Sequence, residues 1–300
     1  MSDPSPLVAA TDFSAPARHA AERAALVARS LGAPLTLLHV LPGRALDALR
    51  QWLGGQPNVE QRLLAEAQQS LDRLADGLRA ADDQAPRTLC TSGQVVDEIG
   101  RQIDALQAQL LVIGAQGASL LRRLPLGTTA ERLLWRTTRP LLVVRAAPQA
   151  PYRRVLVALD GSPVAVALLA RVRQLAPQAH LVLLQVFQVP FEDKLHFAGV
   201  DAATVTVYRQ RAHDQALRQL KQSAREAGLP ATQWTACVIE GDAAQRIVEQ
   251  EQVQDCDLVA LGKQGRSAAE DLLLGSVTLH VLAEGRIDVL VCPPPAADQA

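Results

Sequence analysis

Three hundred residues make about two domains of ordinary size, and 48% apolar against 20% charged residues can fill two cores, which argues against a disordered chain. Thirty basic residues against thirty-one acidic ones leave a net charge of -1, which disfavours a nucleic-acid binder that relies on clustered positive charge. No run approaches the roughly 18 apolar residues of a membrane span, and with aromatics at 3% the cores must be built from Leu, Val, Ile and Ala.

In chain order, Leu7 to Ala10 is a short apolar run that predicts a first strand. Ser14 then fits a helix N-cap, Pro16 sits in the first turn, and Gly32 is a natural stop after Leu31. Leu35 to Val40 predicts a second strand, and Leu63, Leu64, Ala67, Leu71, Leu74 and Leu78 recur at helical spacing. Arg87 to Thr91 predicts a third strand, Val95 to Leu106 a helix, Leu110 to Ile113 a fourth strand and Leu141 to Val144 a fifth. The pattern then starts again, with strands expected at Val155–Leu159, Leu181–Val186, Trp234–Val238, Leu258–Leu261 and Val289–Val291.

The second half repeats the first at one fixed offset. Asp12 and Asp160 are 148 positions apart, and so are Gly93 and Gly241, Gly114 and Gly262, Gly117 and Gly265, Gly127 and Gly275, and Thr128 and Ser276. A period this long marks a duplicated domain rather than a solenoid. The expected domains are residues 1–147 and 152–295, joined by an Ala/Pro stretch that starts near Ala146. Short strands without alternation, separated by helices, are parallel strands buried on both faces. The expected fold class is therefore α/β: two tandem doubly wound domains, each a five-stranded parallel sheet of order 3-2-1-4-5 with helices on both faces. Ligands of such sheets bind beyond the carboxyl ends of the strands at the switch point, here between Asp12 and Gly114 and again between Asp160 and Gly262.

Each fourth strand runs into a glycine constellation. Gly262-Lys263-Gln264-Gly265 is followed nine residues later by Gly275-Ser276, and Gly114-Ala115-Gln116-Gly117 by Gly127-Thr128. Glycine lets backbone approach a ligand closely, and the free amides and dipole of a helix start favour an anion such as phosphate. The plainer alternatives are that these glycines serve tight turns, that Ser276 is only an N-cap, and that Asp12 and Asp160 cap the helices after them. The pattern Gly-x2-Gly-x9-Gly-Ser/Thr after an apolar strand, with an aspartate closing the first strand, resembles the universal stress protein family, and the resemblance spans both halves. It is similar to the tandem-domain members of the ATP-binding type.

The resemblance implies an adenine nucleotide (ATP, or ADP or AMP, with or without Mg2+) bound in the cytoplasm by a stress-response sensor or signalling module. It would place Asp160 and Asp12 near base and ribose, and the backbone of Val186 and Val40 at the adenine edge. Gly262, Gly265, Arg266, Gly275 and Ser276 would lie along the phosphates, as would Gly114, Gly117, Gly127 and Thr128. Phe13 stands where the family usually has glycine and Ala118 where the second half has Arg266, so the second half keeps the fuller pattern. The resemblance also implies that the last strands pair the two domains through their edges, and a homodimer is compatible with it.

The rival readings are a nucleotide-free interaction or chaperone-like module, and a slow ATPase or autophosphorylating protein modified at Ser276 or Thr128. No residue is assigned a catalytic role. A Walker loop, Gly-x-Gly-x-x-Gly and Gly-x-Ser-x-Gly are all missing from the sequence. The six histidines show no metal-ligand spacing, so no metal site is expected. His39 fits a packed core position, and His280, four residues past Ser276, is either structural or a phosphate neighbour. Lys263, Arg266, Arg122 and Arg123 either neutralise phosphate or are solvated loop charge. Phe187 to Thr206 replaces the more polar Leu41 to Asn58 and either lines a pocket or packs between the domains. Met1 to Pro4 shows no signal-peptide pattern, and Cys90, Cys237, Cys256 and Cys292 form no Cys-x-x-Cys pair, so reduced cytoplasmic thiols are expected.

Overall fold

The computed structural model describes residues 4–52, 59–79, 85–117, 126–162, 164–189, 200–264 and 274–294. The chain divides into two compact units, Met1–Pro151 and Tyr152–Ala300. Unit 1 contains β1 (Leu7–Ala10), α1 (Ala15–Leu31), β2 (Leu35–Pro42), α2 (Gly43–Trp52), α3 (Val59–Leu78), β3 (Arg87–Gly93), α4 (Val95–Ala105), β4 (Leu110–Gly114), α5 (Thr128–Arg136) and β5 (Leu141–Val144). Unit 2 contains β6 (Arg154–Leu159), α6 (Val164–Leu175), β7 (His180–Phe187), α7 (Ala202–Glu226), β8 (Trp234–Glu240), α8 (Ala243–Val253), β9 (Leu258–Gly262), α9 (Ser276–Glu284) and β10 (Asp288–Cys292).

Within each unit the strand pairs described are parallel. In unit 1 the order is β3-β2-β1-β4-β5, and in unit 2 it is β8-β7-β6-β9-β10. Both are the 3-2-1-4-5 arrangement. The central strands are apolar throughout because helices cover both faces: Leu7, Val8, Leu37, Leu111, Val155, Val157, Leu258 and Val289 are fully buried. The chain moves outward from β1 to β3 and then returns to β4, so right-handed crossovers put α1 and α3 on one face and α4 and α5 on the other. Accordingly α1 touches α3, and α4 touches α5.

The first helix starts and stops where its sequence says. Ser14 Oγ accepts from the Ala17 amide at 3.4 Å, Pro16 lies in the first turn, and the Gly32 amide closes back on the Arg29 carbonyl. Helix α2 is an addition to the expected elements. It occupies the stretch that reads as a polar connection, and Leu46 seats one face of it against β2 while Trp52 stays exposed. Strands β2 and β7 each run two residues or one residue past their apolar cores, to Pro42 and Phe187, since parallel pairing to β3 and β8 continues there.

Gly114 shows how tightly the crossovers are drawn. A Cβ on it would lie 2.8 Å from the Pro16 carbonyl carbon and 3.1 Å from the Ala17 amide, backbone atoms that cannot rotate aside. The start of α1 therefore rests directly on the end of β4. Gly100, inside α4, has nothing within 4 Å of such a Cβ. We expect Gly114→Ala to destabilise the protein by about 1–3 kcal/mol, and Gly100→Ala to stabilise it by about 0.5–1 kcal/mol. Urea unfolding curves of the two variants check both signs.

Candidate functional site

In unit 2 the chain leaves β6 toward one side of the sheet and β9 toward the other. That divergence opens a crevice at the strands' carboxyl ends. A cavity of about 690 Å3 lies there, within the size range of small-ligand sites. Asp160, Val186, Gly262, Gly275 and Ser276 all line it, so five positions singled out in the sequence meet around one space. Leu168, Leu184 and Ile247 give it apolar walls. Gly241, Asp242 and Gln188 also line it and were not expected as site residues. Gly241 had been visible as a repeat partner of Gly93, and that signal was available for a role in the loop after β8.

Two local devices shape the crevice. Asp160 Oδ1 accepts from the Ser162 amide at 2.9 Å, and the chain turns between them through Gly161 at φ 73°. At the other side Gly275 is the N-cap of α9 and has no side chain to cap it. Leu279 bonds the Gly275 carbonyl at 3.0 Å as the helix ladder begins. The amides of Ser276, Val277 and Thr278 belong to the first turn, which has no intrahelical acceptors. They stand at the positive end of the helix dipole. Ser276 is thus not the N-cap; it is the first helical residue and is exposed at the cavity. The Gly275 amide donates to the Lys263 carbonyl at 2.9 Å, which draws the helix start against the end of β9.

Unit 1 repeats the frame with altered contents. Ser14 donates its amide to Asp12 Oδ1 at 3.0 Å, and Ser14, not Asp12, is the helix cap. Phe13 takes the turn at φ 64°, where unit 2 has glycine, and its ring lies 4.4 Å from that of His39. His39 is buried and donates from Nδ1 to the Thr11 carbonyl at 2.7 Å, as a packed core residue. Val40 is buried in β2, and Gly114 closes β4. A Cβ on Gly117 would lie 2.8 Å from Asp12 Oδ2, so that carboxylate faces the glycine turn. The Gly127 amide donates to the Ala115 carbonyl at 2.8 Å, and Thr128 opens α5.

The loops after the third strands differ in charge. Gly93 and Gly241 both take positive φ, 153° and 140°, at the entry to the next helix. In unit 1 Glu98 stands beside this turn. A hydrogen bond from Arg101 (2.9 Å), with others from Gln102 and Thr91, holds its carboxyl at a pKa of about 2. In unit 2 the position 148 residues on is Arg246, packed against Gly241 and bonded to the Glu240 carbonyl at 3.1 Å.

Other expectations fare differently. Lys263 is not a solvated charge: it is 4% exposed, burial lowers its pKa, and it does not line the cavity. Its neighbours Gly262 and Gln264 do line it, and the chain bends at Lys263 where β9 has ended. His280 is half-buried in α9 and also off the cavity wall. Gly265, Arg266, Arg122 and Arg123 lie outside the described residues, as do Phe191 and Phe197. Phe187 packs edge-on to His213 of α7 at 5.9 Å. Among the described residues no cluster of His, Cys, Asp and Glu could hold a metal ion, and no helix is long and apolar enough to cross a membrane.

The family model of the universal stress protein family matches residues 5–145 and, a second time, residues 151–293. The chain belongs to the universal stress protein family. Among its relatives, a universal stress protein of Mycolicibacterium smegmatis is 26% identical over 298 residues, covering 96% of this chain and 97% of its own length. One of Mycobacterium tuberculosis is 24% identical over 267 residues, 86% of each chain. A solved universal stress protein from Archaeoglobus fulgidus superposes with a TM-score of 0.69 over 97% of this chain and 98% of its own, at 17% identity. That last likeness concerns the fold. Both halves of this chain are thus universal stress protein domains in tandem.

The Glu98 cluster yields a pH test. Its carboxyl ionises more easily folded than unfolded, so it stabilises the protein above the ordinary value of 4.5 and this contribution is lost as pH falls toward about 2. Glu98→Gln should lower stability at neutral pH and flatten the stability curve across that interval. Urea midpoints of parent and variant through an acid series should converge at the low end.

Proposed function

We propose that this stress-response protein binds an adenine nucleotide in the unit 2 cavity and acts as a sensor or signalling module in the cytoplasm. The observation that carries the reading is the pairing of two ends in one cavity. A carboxylate, Asp160, stands at one side, and the open first turn of α9 at the other. A carboxylate accepts from ribose hydroxyls, and unpaired amides at a helix start bind phosphate oxygens. The backbone at Val186 borders the same space and suits the polar edge of a base, while Leu168 and Leu184 suit its apolar faces.

ATP, with or without Mg2+, makes the fullest use of this arrangement, and ADP and AMP fit the same scheme. Gly262, Gly275 and Ser276 serve the phosphates in it, together with Gly265 and Arg266 of the family pattern. Unit 1, with Asp12, Val40, Gly114, Gly117, Gly127 and Thr128, is the weaker site. Phe13 replaces the glycine of the turn.

Mass spectrometry of ligand released from the natively purified protein, followed by titration with ATP and ADP, tests the reading. A bound adenine nucleotide is expected. No released nucleotide, together with no binding on titration, favours the interaction or chaperone-like role instead. Gly275→Val should weaken ATP binding at least about tenfold, some 1.4 kcal/mol, with Gly127→Val close to the parent. Equal effects would overturn the ranking of the two units. A phosphate-release assay separates binding from slow hydrolysis.

A further inference from the structure

Resting on the nucleotide reading of unit 2, we propose that Thr278 is a positioning residue for the phosphate end of the cavity. Its side chain is 2% exposed, and its Oγ1 donates to the Gly262 carbonyl at 2.9 Å. Gly262 ends β9 and lines the cavity, and the Thr278 amide belongs to the open first turn of α9. The hydroxyl therefore ties the turn that presents the amides to the strand end that faces them.

This bond works beside another. The Gly275 amide already reaches the Lys263 carbonyl, so α9 is held to two successive carbonyls at the end of β9. Packing of Val281 and Leu282 seats the body of the helix, and the two bonds at its first turn fix how that turn meets the strand end. Unit 1 keeps the backbone attachment, Gly127 to Ala115. Its residue 148 positions before Thr278 is Ala130, which is buried and has no hydroxyl to offer. The second attachment belongs to unit 2.

The chemistry assigns Thr278 an indirect effect. Thr278 itself lines the cavity, and its hydroxyl is engaged by the Gly262 carbonyl. What it controls is the aim of the amides at Ser276, Val277 and Thr278. Donors fixed in place before binding lose less freedom when the ligand arrives. The effect is thus confined to ligands that carry phosphate. An adenosine held by Asp160 and the strand ends does not sense the direction of α9.

The test is calorimetric titration of the full-length parent, Thr278→Ala, Thr278→Val and Thr278→Ser with ATP and, separately, with adenosine. Thr278→Ala installs the residue that unit 1 carries, Thr278→Val keeps the volume, and Thr278→Ser restores the hydroxyl. Alanine and valine should each weaken ATP about fivefold, the scale of one lost hydrogen bond, and leave adenosine unchanged, while serine stays within about twofold of the parent. ATP affinity at the parent level in the alanine or valine variant overturns the role, as does an equal loss for adenosine. A parent that binds neither ligand overturns the nucleotide reading itself, and the positioning role with it. A parent that binds ATP alongside unaffected variants overturns the role alone.

Discussion

Parallel strands can be joined only by crossovers that carry the chain back to the starting end of the sheet. In each unit this constraint gathers every strand's carboxyl end on one side, and the reversal of direction between the first and fourth strands forces the chain apart there. The unit 2 cavity is the direct result, with Asp160 leaving β6 and Gly262 leaving β9 on opposite walls. The return from that loop must also start a helix, α9, whose first amides open toward the gap. A hollow and a set of unpaired donors at its edge thus follow from connectivity, before any side chain is chosen.

The two copies show what side chains then decide. Both keep the turn after the first strand at positive φ, yet unit 2 reaches it with Gly161 and unit 1 with Phe13. A bulky residue there is strained by about 1 kcal/mol or more. In compensation its ring packs on His39, which is itself fixed to the Thr11 carbonyl. The same pattern of kept frame and changed content recurs at Glu98 against Arg246 and at Ala130 against Thr278. Duplication has preserved the backbone path while the chemistry at the strand ends has separated.

Much of this was legible in the residues. Apolar runs without alternation, such as Leu110 to Ile113, could only be strands buried on both faces, and the fixed offset between Asp12 and Asp160 announced two copies of one domain. Ser14, Pro16 and Gly32 marked the limits of α1 by local backbone chemistry alone. What was hidden depended on distant packing. Helix α2 seats Leu46 against the sheet from a stretch that reads as a polar connection. The charge of Lys263 suggests solvent, but the residue lies in the bend just past β9 and is buried there by packing that spacing along the chain does not encode. Gly241 and Gln188 reach the cavity only because β8 and β7 end beside it, a fact of tertiary register that no spacing along the chain encodes.

In the nucleotide reading proposed for unit 2, one end of the ligand meets the amides that open α9 while the other meets Asp160. A crystal structure of the protein grown with a slowly hydrolysed ATP analogue tests it most directly. Phosphate oxygens are expected within hydrogen-bond distance of the backbone at Ser276 to Thr278, with the ribose beside the Asp160 carboxylate. Analogue seated in unit 2 with its phosphates turned away from that helix, or seated in unit 1 alone, would contradict it.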